Sequence, residues 1–164
     1  MTDFVAAFRS GLDAAQRADL ARKEIDAVFA ELTEQLQRPA DGRVQIVRQE
    51  FEKRDADPFG IGLPYTLRVL GARAPTYWAV AARNPKAADT KPRELALWQQ
   101  DRAGYPCKLS WGGVERTCND RESLQEALAA LLEDGIIAER INGVMRLPDA
   151  GPKVDQEAAP AAEE

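Results

Sequence analysis

Apolar residues recur every three to four positions through the first 37 residues, which is the spacing of one helix face. The recurring residues are Phe4, Phe8, Leu12, Ala15, Ile25, Val28, Phe29, Leu32 and Leu36. The pattern predicts a helix from Asp3 to about Gln37, with Thr2 as its N-terminal cap. Such a helix reaches roughly 50 Å, so it must kink, extend past a small domain or pack against a second copy. We expect it to lie across a sheet, with a dimerising helix pair as the main alternative; if the helix kinks, Ser10-Gly11 is the most favourable place.

Between positions 43 and 118, runs of alternating apolar and polar residues indicate strands. The predicted strands are Arg43 to Lys53, Tyr65 to Leu70, Thr76 to Arg83, Glu94 to Gln100, Tyr105 to Trp111 and Val114 to Cys118. Most connections between them are short, which predicts an antiparallel meander of about six strands.

The last two strands enclose Gly112-Gly113, which favours a two-residue turn because glycine adopts positive φ without a steric penalty. A turn at this pair sets the register of the hairpin. It places Trp111 opposite Val114, Leu109 opposite Arg116 and Cys107 opposite Cys118.

Helical spacing returns after the hairpin, at Leu124, Leu128 and Leu131. Asn119 and Glu122 have the spacing of a capping box, and Gly135 is the predicted end of this helix. Residues 136–147 have two interpretations. Asn142-Gly143 is a strong hairpin signal, whereas Ile137, Ile141 and Val144 keep helical spacing; we favour the hairpin.

The predicted fold is therefore a single α+β domain over residues 1–148, with a long N-terminal helix on an antiparallel sheet and a second amphipathic helix after the last main hairpin. Residues 149–164 are rich in alanine, proline and acids and predict a disordered acidic tail. Neither a secretory signal nor an 18-residue apolar run is present, which favours a cytoplasmic location.

The chain contains no histidine, which removes the usual imidazole base, metal ligand and proton shuttle. Gly60-Ile61-Gly62 lacks the third glycine of a dinucleotide fingerprint. We therefore expect a protein that is not an enzyme and needs no cofactor or metal. A carboxylate-based enzyme using Asp55 and Asp57 is the least favoured alternative.

The two cysteines, Cys107 and Cys118, are predicted cross-strand neighbours. Reduced, half-buried thiols are the favoured interpretation for a cytoplasmic protein, and a redox pair is the alternative.

The net charge is −5, but residues 43–93 carry ten Lys or Arg against five Asp or Glu. Either this basic centre is neutralised by the acidic flanks, or it forms a nucleic-acid face in which aromatic rings stack on bases. The residues of that alternative face are Arg68, Arg73, Arg83, Lys86, Lys91, Arg93, Tyr77 and Trp78.

Residues 124–148 resemble the recognition helix and wing of winged-helix regulators, through Leu128, Leu131, Gly135 and Asn142-Gly143. The resemblance is local, because a strand-rich hairpin occupies the place of that family's upstream helices. The acidic residues of the segment would also oppose a phosphate backbone, so no DNA-reading role is carried over.

By elimination, the sequence favours a protein–protein interaction or regulatory module, such as an adaptor, inhibitor or chaperone-like protein, which forms a homodimer. Its candidate partner-binding residues lie on the first helix and on an unperiodic loop. They are Phe4, Phe8, Leu12, Phe59, Ile61 and Leu63.

Overall fold

The computed structural model describes residues 1–53 and 76–151. The elements in chain order are α1 (Phe4–Gln37), β1 (Gln45–Glu52), β2 (Thr76–Arg83), β3 (Arg93–Asp101), β4 (Gly104–Trp111), β5 (Val114–Cys118), α2 (Arg121–Glu133) and α3 (Gly135–Met145). The predicted strand Tyr65 to Leu70 and the loop with Asp55, Asp57 and Phe59 to Leu63 lie outside the described residues.

The strands of the described segments form one antiparallel sheet in the order β1-β2-β3-β4-β5. A long N-terminal helix, an antiparallel sheet and later helices confirm the predicted α+β class. The hairpin register is also confirmed, with Trp111 paired to Val114 and Cys107 to Cys118. Gly112 and Gly113 have φ of 51° and 82°, the positive range that this turn requires.

Both predicted helix caps are displaced by one residue. Asp3, not Thr2, caps α1 by accepting hydrogen bonds from the backbone N–H groups of Val5 and Ala6. For α2, the capping box joins Asp120 to Ser123, not Asn119 to Glu122. Thr2 and Asp3 are both residue types that cap helices, and so are Asn119 and Asp120. The residue that precedes the first helical position in the structure is the one that forms the cap.

The predicted hairpin over residues 136–147 is wrong, because residues 135–145 form α3. The helix α2 does end before Gly135 as predicted, with Asp134 as its C-cap, but Gly135 also begins α3, and Asp134 caps α3 by accepting from the N–H groups of Ile136 and Ile137. Burial of Ile137 and Val144 in the core outweighs the turn preference of Asn142-Gly143, which lies inside the helix.

The core lies between the sheet and the three helices. It combines Ile25, Val28 and Phe29 of α1 with Leu124, Leu128 and Leu131 of α2, Ile137 and Val144 of α3, and Ile46, Val80, Trp98, Leu109 and Trp111 of the sheet. One face of each helix is therefore directed at the same face of the sheet, as a two-layer α+β architecture requires.

The first residues of the predicted tail contact the domain. Arg43 forms a two-pronged salt bridge with Asp149, at 2.7 and 2.9 Å, and the backbone N–H of Ala150 donates to the carbonyl of Lys86. The rest of the predicted tail, residues 152–164, lies outside the described residues.

Candidate interaction site on the first helix

Helix α1 runs without interruption through Ser10-Gly11, the most favourable place for a kink. Its two halves nevertheless have different surroundings. Every residue from Met1 to Arg17 is exposed, whereas Ile25, Val28 and Phe29 are buried. The second half lies across the sheet as predicted. The first half extends beyond it by about 26 Å, taking 1.5 Å for each residue from Phe4 to Leu20.

The halves meet where the turn between β3 and β4 touches the helix. A Cβ atom added to Gly104 would lie 2.6 Å from the Cβ of Ala21, so only glycine permits this approach. Arg22 donates to the carbonyl of Arg102 at 2.9 Å, and the Tyr105 hydroxyl donates to Glu24 at 3.0 Å. Partial burial and the bond to Glu24 raise the pKa of Tyr105 well above its usual range.

The free half of α1 exposes large apolar side chains. Phe4 is 77% exposed, Phe8 67% and Leu12 55%, and Val5 and Leu20 are also exposed. These include three of the residues predicted to bind a partner; the other three, Phe59, Ile61 and Leu63, lie outside the described residues. A contiguous apolar surface of this kind is typical of an interaction site.

A heptad count shows how the free half is organised, and it adds residues that the simple three-to-four spacing missed. With Phe8 at position a, the a and d positions up to residue 18 are Met1, Phe4, Phe8, Gly11, Ala15 and Ala18. The neighbouring e and g positions hold Val5, Leu12, Ala7 and Ala14. Every charged residue from Met1 to Ala18 therefore lies at b, c or f, away from the apolar seam.

The same seam continues into the buried half. Ile25 and Leu32 fall at d, and Phe29 and Leu36 at a. Arg22 is the charged a-position residue between the halves, and its bond to Arg102 marks the point where the helix joins the body. One continuous pattern is thus partnered by the sheet and α2 along one half only.

A second feature is a pocket of about 750 Å³ beside α1, lined by Arg22, Phe29, Val47, Arg48, Trp78, Trp98, Gln99, Gln100, Asp101 and Arg102. The Arg48 guanidinium lies 4.7 Å from the Phe29 ring centre and 5.5 Å from that of Trp98. It also bonds to Asp26 and, at 3.1 Å, to Gln100. Trp78, 51% exposed, is the aromatic side chain that the pocket offers to solvent.

The predicted nucleic-acid residues are distributed over several places. Trp78 lines the pocket, while the neighbouring Tyr77 hydroxyl donates to Glu94 at 2.6 Å. Arg83 donates to Gln45 at the other end of β2, and Lys86 donates to the Asp41 carbonyl.

Four further members of that predicted face remain. Arg93 pairs with Asp89, and the backbone N–H of Lys91 donates to the same carboxylate. Arg68 and Arg73 lie outside the described residues. The pocket instead brings together Arg22, Arg48 and Arg102, which adjoin Trp78 only through the tertiary fold.

Cys107 and Cys118 are free thiols, both fully buried and opposite one another on β4 and β5. A hydrogen bond with Cys118 and burial in the core raise the pKa of the Cys107 thiol. The buried Cys107 thiol therefore favours its protonated, unreactive form.

Within residues 1–53 and 76–151, no group of three or more cysteine or carboxylate residues is arranged to hold a metal ion. Over the same residues, none of the helices is both long and apolar enough to span a membrane. No family model, no curated protein and no solved structure matches this chain. The free half of α1 and the pocket beside it are therefore the two features that bear on function.

Proposed function

We propose that this protein is a non-enzymatic, self-associating interaction module whose contact surface is the free half of α1. One observation carries the proposal: an apolar seam runs along residues 1–18 and faces solvent, while its continuation in the same helix is buried. Leaving such a seam in water forgoes the hydrophobic stabilisation that a partner would supply.

A second copy of the chain is the occupant that fits the seam. The free half has no charged residue at an a, d, e or g position up to residue 18. The seam therefore contacts a partner through apolar side chains and not through ion pairs. An identical helix presents the same apolar surface, so it can form this contact.

The experiment is sedimentation velocity over a wide concentration range, on the unmodified chain and two variants. Phe8→Asp places a carboxylate on the seam, and Ser10→Asp adds the same charge at a position that faces away from it. Phe8→Asp should weaken the dimer on the order of a hundredfold, because an unpaired charge would have to be buried.

Ser10→Asp should change the dimer affinity little. A chain that stays monomeric at every concentration, or a dimer that Phe8→Asp and Ser10→Asp affect equally, would contradict the proposal.

A second candidate function, nucleic-acid binding, is favoured by the pocket. An exposed indole beside three arginines suits a base stacked on the ring and a phosphate held by a guanidinium. The test follows tryptophan fluorescence during titration with a mixed-sequence single strand, at low and high salt. Binding should occur at low salt, weaken as salt rises, and be lost in Trp78→Ala but not in Lys86→Ala. Absence of binding at low salt rules this candidate out.

A further inference from the structure

We propose that two copies of this chain pair through residues 1–18 of α1 as an antiparallel helix dimer, with the two-fold axis passing between Arg9 and Ser10. This inference rests on the self-association proposed above and specifies its orientation and register.

Two copies of the helix can pair in an antiparallel or a parallel orientation. The sizes of the seam residues are complementary only in the antiparallel orientation. In an antiparallel pair, a positions meet d positions of the other helix. About the stated axis, Phe8 meets Gly11 of the second copy, Phe4 meets Ala15 and Met1 meets Ala18. Every layer thus combines a large side chain with a small one, and the helices can approach closely while the rings fill the space between them.

A parallel pair would lack this complementarity. Each layer would contain two copies of the same residue, so Phe8 would face Phe8 and Gly11 would face Gly11. The first three layers, from Met1 to Phe8, would then be overfilled and the last three, from Gly11 to Ala18, underfilled, and both conditions are unfavourable in a packed interface. The structure leaves the space around Gly11 open, since a Cβ built there meets no atom within 4 Å.

The flanking positions extend the apolar contact. About the same axis, Val5 meets Leu12 of the second copy on one side of the seam, and Ala7 meets Ala14 on the other. The charged residues Asp3, Arg9, Asp13 and Arg17 all face away. Orientation is therefore decided by side-chain size and not by ion pairs.

The length of the free half fits this register. Met1 of the second copy would lie opposite Ala18, about one helical turn before Ala21, where the turn at Gly104 contacts the helix. Sliding the second helix one heptad further would bring its end against that turn. Sliding it one heptad outward would set Phe4 against Phe8 of the second copy, so those layers would be overfilled.

Disulfide trapping tests the orientation with substitutions that leave both phenylalanines in place. Ala7→Cys and Ala14→Cys chains are mixed and oxidised mildly; the antiparallel pair brings these two positions together. Ala15→Cys alone is the parallel reporter, because identical a positions meet only in a parallel pair. In the antiparallel pair the two Ala15 positions are separated by about 16 Å along the axis, beyond disulfide reach.

Two controls define the background. The unmodified chain has only the buried Cys107 and Cys118, and a mixture of Asp13→Cys with Ala14→Cys places one thiol on the outer face. The Ala7→Cys and Ala14→Cys mixture should yield about tenfold more crosslinked dimer than either control, because paired thiols react at high effective concentration. Ala15→Cys alone should stay at background.

Efficient crosslinking of Ala15→Cys with itself would overturn the antiparallel inference while leaving self-association intact. Background crosslinking in every sample, from a chain that sedimentation finds dimeric, would also overturn it. A chain that sedimentation finds monomeric at all concentrations would refute both the orientation and the proposed function.

Discussion

The two halves of α1 share a helix and a heptad pattern, yet only one of them belongs to the core. Residues from Ile25 to Leu36 pack against the sheet and α2, and residues 1–17 face solvent. Most of the stability of a helix in a protein comes from tertiary packing of its apolar face, and only the second half of α1 has such packing within its own chain. The free half therefore depends on a partner for stability that the buried half obtains from its own chain.

The largest expected contrast between the halves is in backbone hydrogen exchange. In dilute protein, amides of residues 5–18 should open at a free-energy cost of about 1 kcal/mol or less, while those around Val28 should approach the global stability. Raising the concentration should slow exchange in the first half only. Mass spectrometry at two concentrations measures this, and equal protection of both halves in dilute protein would remove the contrast.

A truncation in each half should separate folding from association. Ile25→Ala should lower the free energy of unfolding by about 2–5 kcal/mol, because Ile25 is fully buried. Leu12→Ala, in dilute protein, should change it by no more than about 0.5 kcal/mol. Urea unfolding followed by circular dichroism measures both, and a comparable loss in the two variants would mean that the free half is already packed in the monomer.

The junction offers a smaller effect. Gly104→Ala should cost about 1–3 kcal/mol, since the residue has φ of 94° and its new Cβ would collide with Ala21. Gly113→Ala is the control, because its φ of 82° is also positive but the space around it is open. Urea unfolding should find Gly104→Ala the more destabilised. If the two losses are equal, the contact with Ala21 contributes nothing to the junction.

The smallest effect concerns Tyr105, which ties the junction to Glu24. Tyr105→Phe should cost about 1 kcal/mol near pH 7, the usual contribution of one hydrogen bond. Because folding raises the pKa of Tyr105, the stability linked to this group is present below its unfolded pKa and is lost as the pH rises through the folded value. Above about pH 10, the free energy of unfolding should therefore decrease more steeply with pH for the unmodified chain than for Tyr105→Phe. Urea unfolding of both chains at several pH values measures this.

Local sequence information was sufficient for much of the fold. The spacing of apolar residues located α1 to within a residue at each end, and the bounds of β2 agree with the prediction. Gly112-Gly113 fixed the register of the last hairpin, because a two-residue turn admits one pairing. In each case the signal and the structure it specifies lie within the same short segment.

The candidate site was only partly predictable for the same reason. Phe4, Phe8, Leu12 and Ala15 are identified from the three-to-four spacing, and a heptad count also finds Gly11 and Ala18. The pocket was missed because Arg22, Arg48 and Arg102 belong to α1, β1 and the turn after β3. Their proximity depends on how α1 crosses the sheet, which no local pattern encodes.

What the sequence by itself determined is which residues form α1 and which of its faces is apolar, since helical periodicity is a property of neighbouring residues. It did not determine where along the helix the protein body ends. It also misassigned residues 135–145, where a strong turn pair yields to burial of Ile137 and Val144. Only the tertiary structure decided both, because burial is a competition among segments distant in the chain for the same core surface.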